Sequence, residues 1–379
     1  MNFLLNAEQS SIQELARQFA DDHLWPFAKQ WDEQELFPVE TMRKAAQLGF
    51  CGLFAKESYG GCDLTRFDGA LIFEALSTGC VATAAYLSIH NMVVGMIQKF
   101  GNADQHRLWL PKLTDLSWLA SYCLTEPGSG SDAASLTTKA VRDGDFYVLN
   151  GTKAFISGAG VSDLYICMVR TGSSGAKGIS AIIIEKNTPG LSFGKLEEKM
   201  GWRSQPTATI MFDNCRVPIV NCLGAEGEGF KIAMSGLDGG RINIAACSLG
   251  GATRCLELAL TYVKERHQFG KALADMQSIQ FKLADMATEL EAARLMVYRA
   301  GYSLAMNQPD ATQHCAMAKR FATDVCFKIV NEALQLHGGY GYIKDYHVER
   351  FVRDLRVHQI LEGTNEIMKL IISRNLLAE

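Results

Sequence analysis

The sequence predicts an α+β chain: helices first, then a compact β module, then a helical bundle. Three observations carry that expectation. Apolar residues fall at helical spacing as far as Leu119. Near Ala120 the pattern changes to short β-branched and aromatic runs separated by turn residues, with no helix between them, which marks an antiparallel sheet or barrel and not a βαβ array. Helical periodicity returns at Glu228 and dominates the rest. At roughly 150 residues per domain, 379 residues fit two or three domains, and the expected divisions are 1–119, 120–226 and 227–379.

Ile12, Leu15 and Phe19 share one side of the first helix, and Met42, Ala45, Ala46 and Leu48 precede a Gly49 stop. Phe67 to Gly79 and Val81 to Phe100 read as two more helices, the second apolar enough to be buried on most sides. Gly60-Gly61 and Gly101-Asn102 are the breaks. Strands are expected over Phe146 to Leu149, Leu164 to Val169, Ile179 to Ile184 and Thr207 to Phe212. Asp143-Gly144, Asn150-Gly151, Gly172-Ser173 and Pro189-Gly190 supply the turns. In the last part Leu283, Met286, Leu290, Ala293 and Val297 form one helical face, and another helix runs from about Asp310 to His337.

Composition narrows the function. With 48% hydrophobic and 21% charged residues and mean hydropathy +0.01, the chain is globular and not disordered. Lys plus Arg number 37 against 41 for Asp plus Glu, a net charge of −4, so neither nucleic acid nor an anionic membrane is an expected partner. The longest apolar stretches, such as Leu164 to Val169, fall far short of the roughly 20 residues that span a bilayer, so no membrane insertion is expected. Eleven cysteines, scattered singly from Cys51 to Cys326, indicate a reducing compartment. The N-terminal stretch carries no visible targeting signal. The expected location is the cytoplasm, or the mitochondrial matrix for a processed chain. No metal is expected, because the eight histidines show no ligand spacing.

Four segments carry the chemistry. Tyr122 to Ala133 contains Gly128, Gly130 and Ala133 at dinucleotide-fingerprint spacing, but Pro127 and the turn at Asp143-Gly144 deny it the strand, turn and helix that a Rossmann site requires. What remains is either a plain surface loop or a Gly/Ser loop able to approach a flat ring system or a phosphate. Arg266 to Gly270 sets a guanidinium beside an aromatic, suited to a pyrophosphate and a ring, or serves only as a helix-terminal cation. Gln335 to Tyr342 holds three glycines where one would cap a helix, which favours close approach to a ligand. In Ile360 to Ile367, Glu362 follows apolar residues; partial desolvation would raise its pKa toward that of a base at neutral pH, while the residue pattern by itself favours a solvated helix-N-terminal glutamate.

In this order and at these separations, YCLTEPGSGSD, RHQFG, QLHGGYGY and ILEGTNE resemble the signature segments of the acyl-CoA dehydrogenase family over essentially the whole chain. Finer detail at Ala84 to Met92, Lys153 to Gly160, Gly239 to Ala245 and Phe351 to Met368 resembles the family's isobutyryl-CoA subgroup of valine degradation, with 2-methylbutanoyl- and butanoyl-CoA as alternative substrates. The resemblance implies an N-terminal helical domain, a middle antiparallel β domain, a C-terminal four-helix bundle and FAD as cofactor. It also implies a homotetramer built as a dimer of dimers, and electron-transfer flavoprotein as acceptor.

Residue by residue, it places Tyr122, Leu124, Thr125, Gly130, Ser131, Phe155, Ile156 and Ser157 beside the flavin, and Arg266 and Phe269 at the pyrophosphate side. Met276, Gln277, Gln335, Leu336, Gly338 and Gly339 would come from a neighbouring subunit, while Thr364, Asn365 and Glu366 complete the site beside the base. Ser131, Asp238, Gly239, Gly240, Arg241 and Arg374 match acyl-CoA contacts. The resemblance implies Glu362 as the catalytic base; relatives that carry their base just before the arginine matching Arg241 have a carboxylate where this chain has Gly240. Phe155 stands where several relatives carry Trp.

Overall fold

The structure is a computed structural model and describes residues 5–377. Residues 1–4, part of the stretch searched for a targeting signal, and residues 378–379, the end of the third expected division, lie outside the described residues. Six helices come first: α1 (Ala7–Phe19), α2 (Trp25–Gln34), α3 (Val39–Gln47), α4 (Arg66–Ser77), α5 (Val81–Phe100) and α6 (Ala103–Thr114). Their starts are written locally. Asn6 with Gln9, Thr65 with Asp68 and Asn102 with Gln105 each form a capping box that satisfies otherwise free backbone donors. The helix α5 is buried from Val81 to Ile97 apart from Ile89, as its unbroken apolar run foretells.

The β module holds β1 (Ala120–Cys123), β2 (Lys139–Asp143), β3 (Phe146–Ser157), β4 (Leu164–Arg170), β5 (Ile179–Glu185), β6 (Leu191–Leu196), β7 (Thr207–Pro218) and β8 (Cys222–Leu223). Their order is β6-β7-β3-β2-β4-β5-β8, with β1 against β4. Pairing is antiparallel except around β4, which runs parallel to β1 in the register Cys123 to Cys167 and meets β2 in parallel at Lys139 and Arg170. Those two contacts are a departure from the uniform antiparallel pattern, which the strand sequences could not reveal because a parallel partner leaves the same alternation. On β4 the period of two is used on both sides: Leu164, Ile166 and Met168 join the core under α5 and α6, while Tyr165, Cys167 and Val169 join a second core with Leu149, Ile210 and Val217. Burial on both faces explains why the strand is apolar throughout.

The third part comprises α7 (Gly229–Glu265), a short hairpin of β9 (His267–Gln268) and β10 (Lys271–Ala272), α8 (Gln277–Ala305), α9 (Ala311–His337), α10 (Val348–Arg356) and α11 (Asn365–Leu376). Of the expected face on α8, Met286, Leu290, Ala293 and Val297 are buried and Leu283 is partly buried. One continuous core joins the N-terminal helices to this bundle through residues such as Leu76, Leu249, Ile329 and Phe351. No helix among the described residues is long and apolar enough to cross a membrane.

Candidate active site

The site forms where the end of β1, the middle of α7 and the loop before α11 meet. Glu362 sits in that loop at φ +55°, followed by Gly363 at φ +88°. A non-glycine residue in this left-handed region costs about 1–3 kcal/mol and persists only where its surroundings hold it. Here they do. Lys319 Nζ on α9 donates to the Gly363 carbonyl at 2.8 Å and to Asn365 Oδ1 at 2.9 Å. Arg241 Nε on α7 donates to the Glu362 carbonyl at 3.4 Å. Thr364 caps α11 by accepting from the Ile367 amide, and the Asn365 amide donates to Asp324 at 2.7 Å. Arg241 is itself paired with Asp238 at 2.6 Å, and Asp238 also accepts from Thr312.

The Glu362 side chain lies directly over Gly240. A Cβ at that position would meet Glu362 Oε2 at 2.4 Å, so glycine is what leaves room for the carboxyl. Glu362 Oε2 is buried without a hydrogen-bond partner among the described residues, as is the Tyr122 hydroxyl, whose own ionisation is disfavoured first by burial and then by the nearby Glu362 charge. Desolvation pushes the Glu362 pKa up to about 7, against the opposing pull of Arg241 and Lys319. Among the described residues no backbone acceptor takes the Glu362 amide hydrogen. The site thus presents a carboxyl that titrates near neutrality and, at the same residue, a free N–H.

The second wall is the Leu124 to Gly130 loop against β3. Ala154 N donates to Thr125 O at 2.9 Å, and Ser121 Oγ to Ser157 O at 2.5 Å, which brings Tyr122, Leu124 and Thr125 beside Phe155, Ile156 and Ser157. A buried ion pair holds this loop: Lys153 Nζ reaches Glu126 at 2.8 Å and the Leu124 carbonyl at 3.0 Å, and Glu126 also accepts from the Thr137 and Thr138 amides. Burial alone would raise the Glu126 pKa, but Lys153 and these donors hold it at about 2. Phe155, at φ +58°, leaves 67% of its surface exposed, and a Cβ on Gly128 or Gly130 would meet nothing within 4 Å. An exposed ring, open backbone and two unpaired buried polar atoms suit a flat, hydrogen-bonding ring system, so the residues fit a flavin. Ser131 is exposed on the same loop, and Arg374 is exposed in the last turn of α11.

The remaining expected cofactor residues lie elsewhere in the protomer. Arg266 follows α7, Phe269 is 95% exposed at φ +55°, and Met276 and Gln277 begin α8. Gln335 and Leu336 end α9, followed by Gly338 and Gly339, with Arg266 over the Tyr340 ring. At about 1.5 Å per residue, Gly240 and the end of α7 are roughly 37 Å apart, and Lys319 and His337 on α9 roughly 27 Å. The two groups are therefore far apart along the bundle and are not brought together within one chain. Sequence reasoning missed Lys319, Lys153 and Glu126. Lys319 had a visible signal: it interrupts the buried stripe Cys315, Ala318, Ala322 and Cys326 of α9. Among the described residues no group of His, Cys, Asp and Glu is arranged to hold a metal ion.

The fold and site define a class. Models of the acyl-CoA dehydrogenase N-terminal, middle and C-terminal domains match residues 6–117, 121–215 and 227–377. The chain belongs to the acyl-CoA dehydrogenase family. It is 57% identical over 375 residues to the mitochondrial isobutyryl-CoA dehydrogenase of Bos taurus, covering 99% of this chain and 90% of that one. A chain solved in work on the electron transferring flavoprotein of Acidaminococcus fermentans superposes with TM-score 0.98 at 41% identity, covering all of both chains. The FAD complex of PigA superposes with TM-score 0.96 at 33% identity, over 99% of each. The chain is thus an oxidoreductase acting on the CH–CH bond of an acyl-CoA, and FAD is its cofactor.

Proposed function

We propose that this enzyme converts isobutyryl-CoA to methacrylyl-CoA, that Glu362 is its base, and that its electrons pass to electron-transfer flavoprotein. The observation that carries the reading is the Glu362 carboxyl over Gly240, desolvated to a pKa of about 7 on a loop held from two helices. A thioester α C–H is a very weak acid, so its removal needs a base of raised pKa and a donor for the charge that develops on the carbonyl oxygen. Glu362 supplies the carboxyl, taking the α proton on Oε2, and its own free amide offers one donor to that oxygen. Asp238, Gly239 and Arg241 line the approach, while Ser131 and Arg374 are positioned for the carrier portion of the thioester. Tyr122 and the apolar β1 end exclude water from the carboxyl. The bound flavin, bordered by Tyr122 to Thr125 and Phe155 to Ser157, supplies the acceptor for the hydride leaving the β carbon.

Support for the substrate is the 57% identity to an isobutyryl-CoA dehydrogenase. Support for the acceptor is the likeness to a chain solved with an electron transferring flavoprotein in view. We further propose a dimer of dimers, the division of the chain at 119/120 and 226/227, and a reducing compartment, cytoplasmic or matrix, consistent with eleven unpaired cysteines. One methylene is worth about 1–3 kcal/mol in an apolar pocket, so the test is kcat/KM for isobutyryl-, 2-methylbutanoyl- and butanoyl-CoA with electron-transfer flavoprotein as acceptor. The branched C4 thioester should lead; a butanoyl-CoA preference would remove the valine assignment.

A further inference from the structure

Lys319 is a side chain for which the mechanism above has no use. It lies on the otherwise apolar buried face of α9, is 0% exposed, and forms no ion pair with a carboxylate among the described residues. Burying an ammonium without a carboxylate is costly, and such a group is retained only where its hydrogen bonds or its field are needed. Both of its hydrogen bonds go to the base loop: one to the carbonyl of Gly363, the residue after Glu362, and one to Asn365, the first residue of α11. We propose that Lys319 is the positioning residue for the base, clamping the left-handed turn at Glu362 and Gly363 and biasing the Glu362 carboxyl toward its ionised form.

The electrostatics around it support this assignment, which rests on the reading of Glu362 as base. Desolvation lowers the Lys319 pKa to about 8, and Glu362 and Asp324 are the leading charges that hold it up, with Glu366 adding to them and Arg241 opposing. In return Arg241 first, and then Lys319, are the cations that restrain the rise of Glu362. His358, packed nearby and held at about 3 first by burial and then by Lys319, stays neutral and adds no competing charge. Tyr122 faces Glu362 from β1 and is likewise neutral. Arg241 is paired with Asp238, whereas Lys319 has no carboxylate in ion-pair contact among the described residues. A neutral donor of the same reach would hold the loop equally well by hydrogen bonding, so the charge is the part of the assignment that can be tested separately.

The experiment compares FAD-loaded wild type with Lys319→Met, Lys319→Gln and Lys319→Arg. Two readouts are taken across pH: kcat/KM for isobutyryl-CoA, and the infrared titration of the Glu362 carboxyl, identified as the band lost in Glu362→Gln. Removing an opposite charge near a carboxylate raises its pKa by about one unit or more. Both neutral variants should therefore move the carboxyl titration and the acid limb of kcat/KM upward together, with about a tenfold loss at pH 6 that is largely recovered at pH 9. Lys319→Arg should keep both at the wild-type position. A uniform loss at all pH values with an unmoved titration would reduce Lys319 to a structural group and overturn the proposal, as would an equal displacement in Lys319→Arg. Should Lys319→Met fail to retain FAD, Lys319→Gln, which keeps a donor, carries the same comparison. If Glu362→Gln turns over normally, the base reading fails instead, and the infrared titration still reports whether Lys319 governs that carboxyl.

Discussion

Glu362 combines two costs that most residues avoid, a left-handed backbone and a buried carboxyl lacking a partner for Oε2. Each is compensated by neighbours, and each has a measurable consequence. With the ionised form as the proposed base, kcat/KM should rise as pH passes through about 7, the folded pKa of this group. That limb should vanish in Glu362→Gln. The same shift has a sign in stability. A carboxyl whose folded pKa lies above its unfolded value of about 4.3 binds more protons when folded, so it costs stability progressively as pH rises from there to about 7. Glu362→Gln should therefore melt higher than wild type at pH 8 and no higher at pH 4, measured by calorimetry on the FAD-loaded enzyme; equal melting at both would contradict the buried carboxyl. Residue-scale legibility was uneven. Glu362 followed from apolar neighbours and a helix start, but its residue pattern alone left a solvated glutamate open, because burial is set by α7 and β1, far away in sequence. Lys319 was passed over because a single lysine in a long helix usually lies in solvent.

Among the elements, the loop from Leu124 to Gly130 owes its shape to Glu126 and Lys153, not to its glycines. Breaking a buried ion pair by removing one partner costs about 3–5 kcal/mol. Lys153→Met should therefore lower the melting temperature and weaken FAD retention together, followed by thermal melts and flavin release. An unchanged melt would place the loop's order elsewhere. Glu126 has its pKa held down to about 2, so its stabilisation is complete above the ordinary carboxylate range and is lost as pH falls through about 2. On α7, Gly240→Ala puts a Cβ within 2.4 Å of Glu362 Oε2, so the carboxyl must move. Turnover should fall at least about tenfold while FAD stays bound; full activity would show that the carboxyl does not need this seat. Periodicity reveals α5 and α8 because burial repeats along them. Strand β1 escaped it, since four residues held by a parallel neighbour, β4, leave no alternation long enough to read.

Across the whole molecule, the proposed reading gives one protomer two separate sets of cofactor-binding residues. Tyr122 to Ser131, Phe155 to Ser157 and the Glu362 loop lie around the middle of α7; Arg266, Phe269 and Gln335 to Gly339 lie at the ends of α7 and α9, with Phe269 bare to solvent. If, as proposed, a second copy brings the two sets together, FAD binding and association are mutually dependent. Sedimentation of diluted enzyme should show dissociation and flavin loss over the same concentration range, and added FAD should shift both. Dissociated protomers that keep their FAD would refute the shared site. The order of helices, sheet and bundle was plain in the sequence because hydrophobic period changes near Ala120 and Glu228. Where along the bundle each motif lies was not, because that depends on the lengths of α7 and α9.

The most direct test is single-turnover reduction of Glu362→Gln by isobutyryl-CoA, followed through flavin absorbance. The account predicts thioester binding close to wild type and a reduction rate lower by about 10²–10⁴, the share ordinarily carried by a positioned base. Reduction at a rate near wild type would contradict it and move the base to another residue.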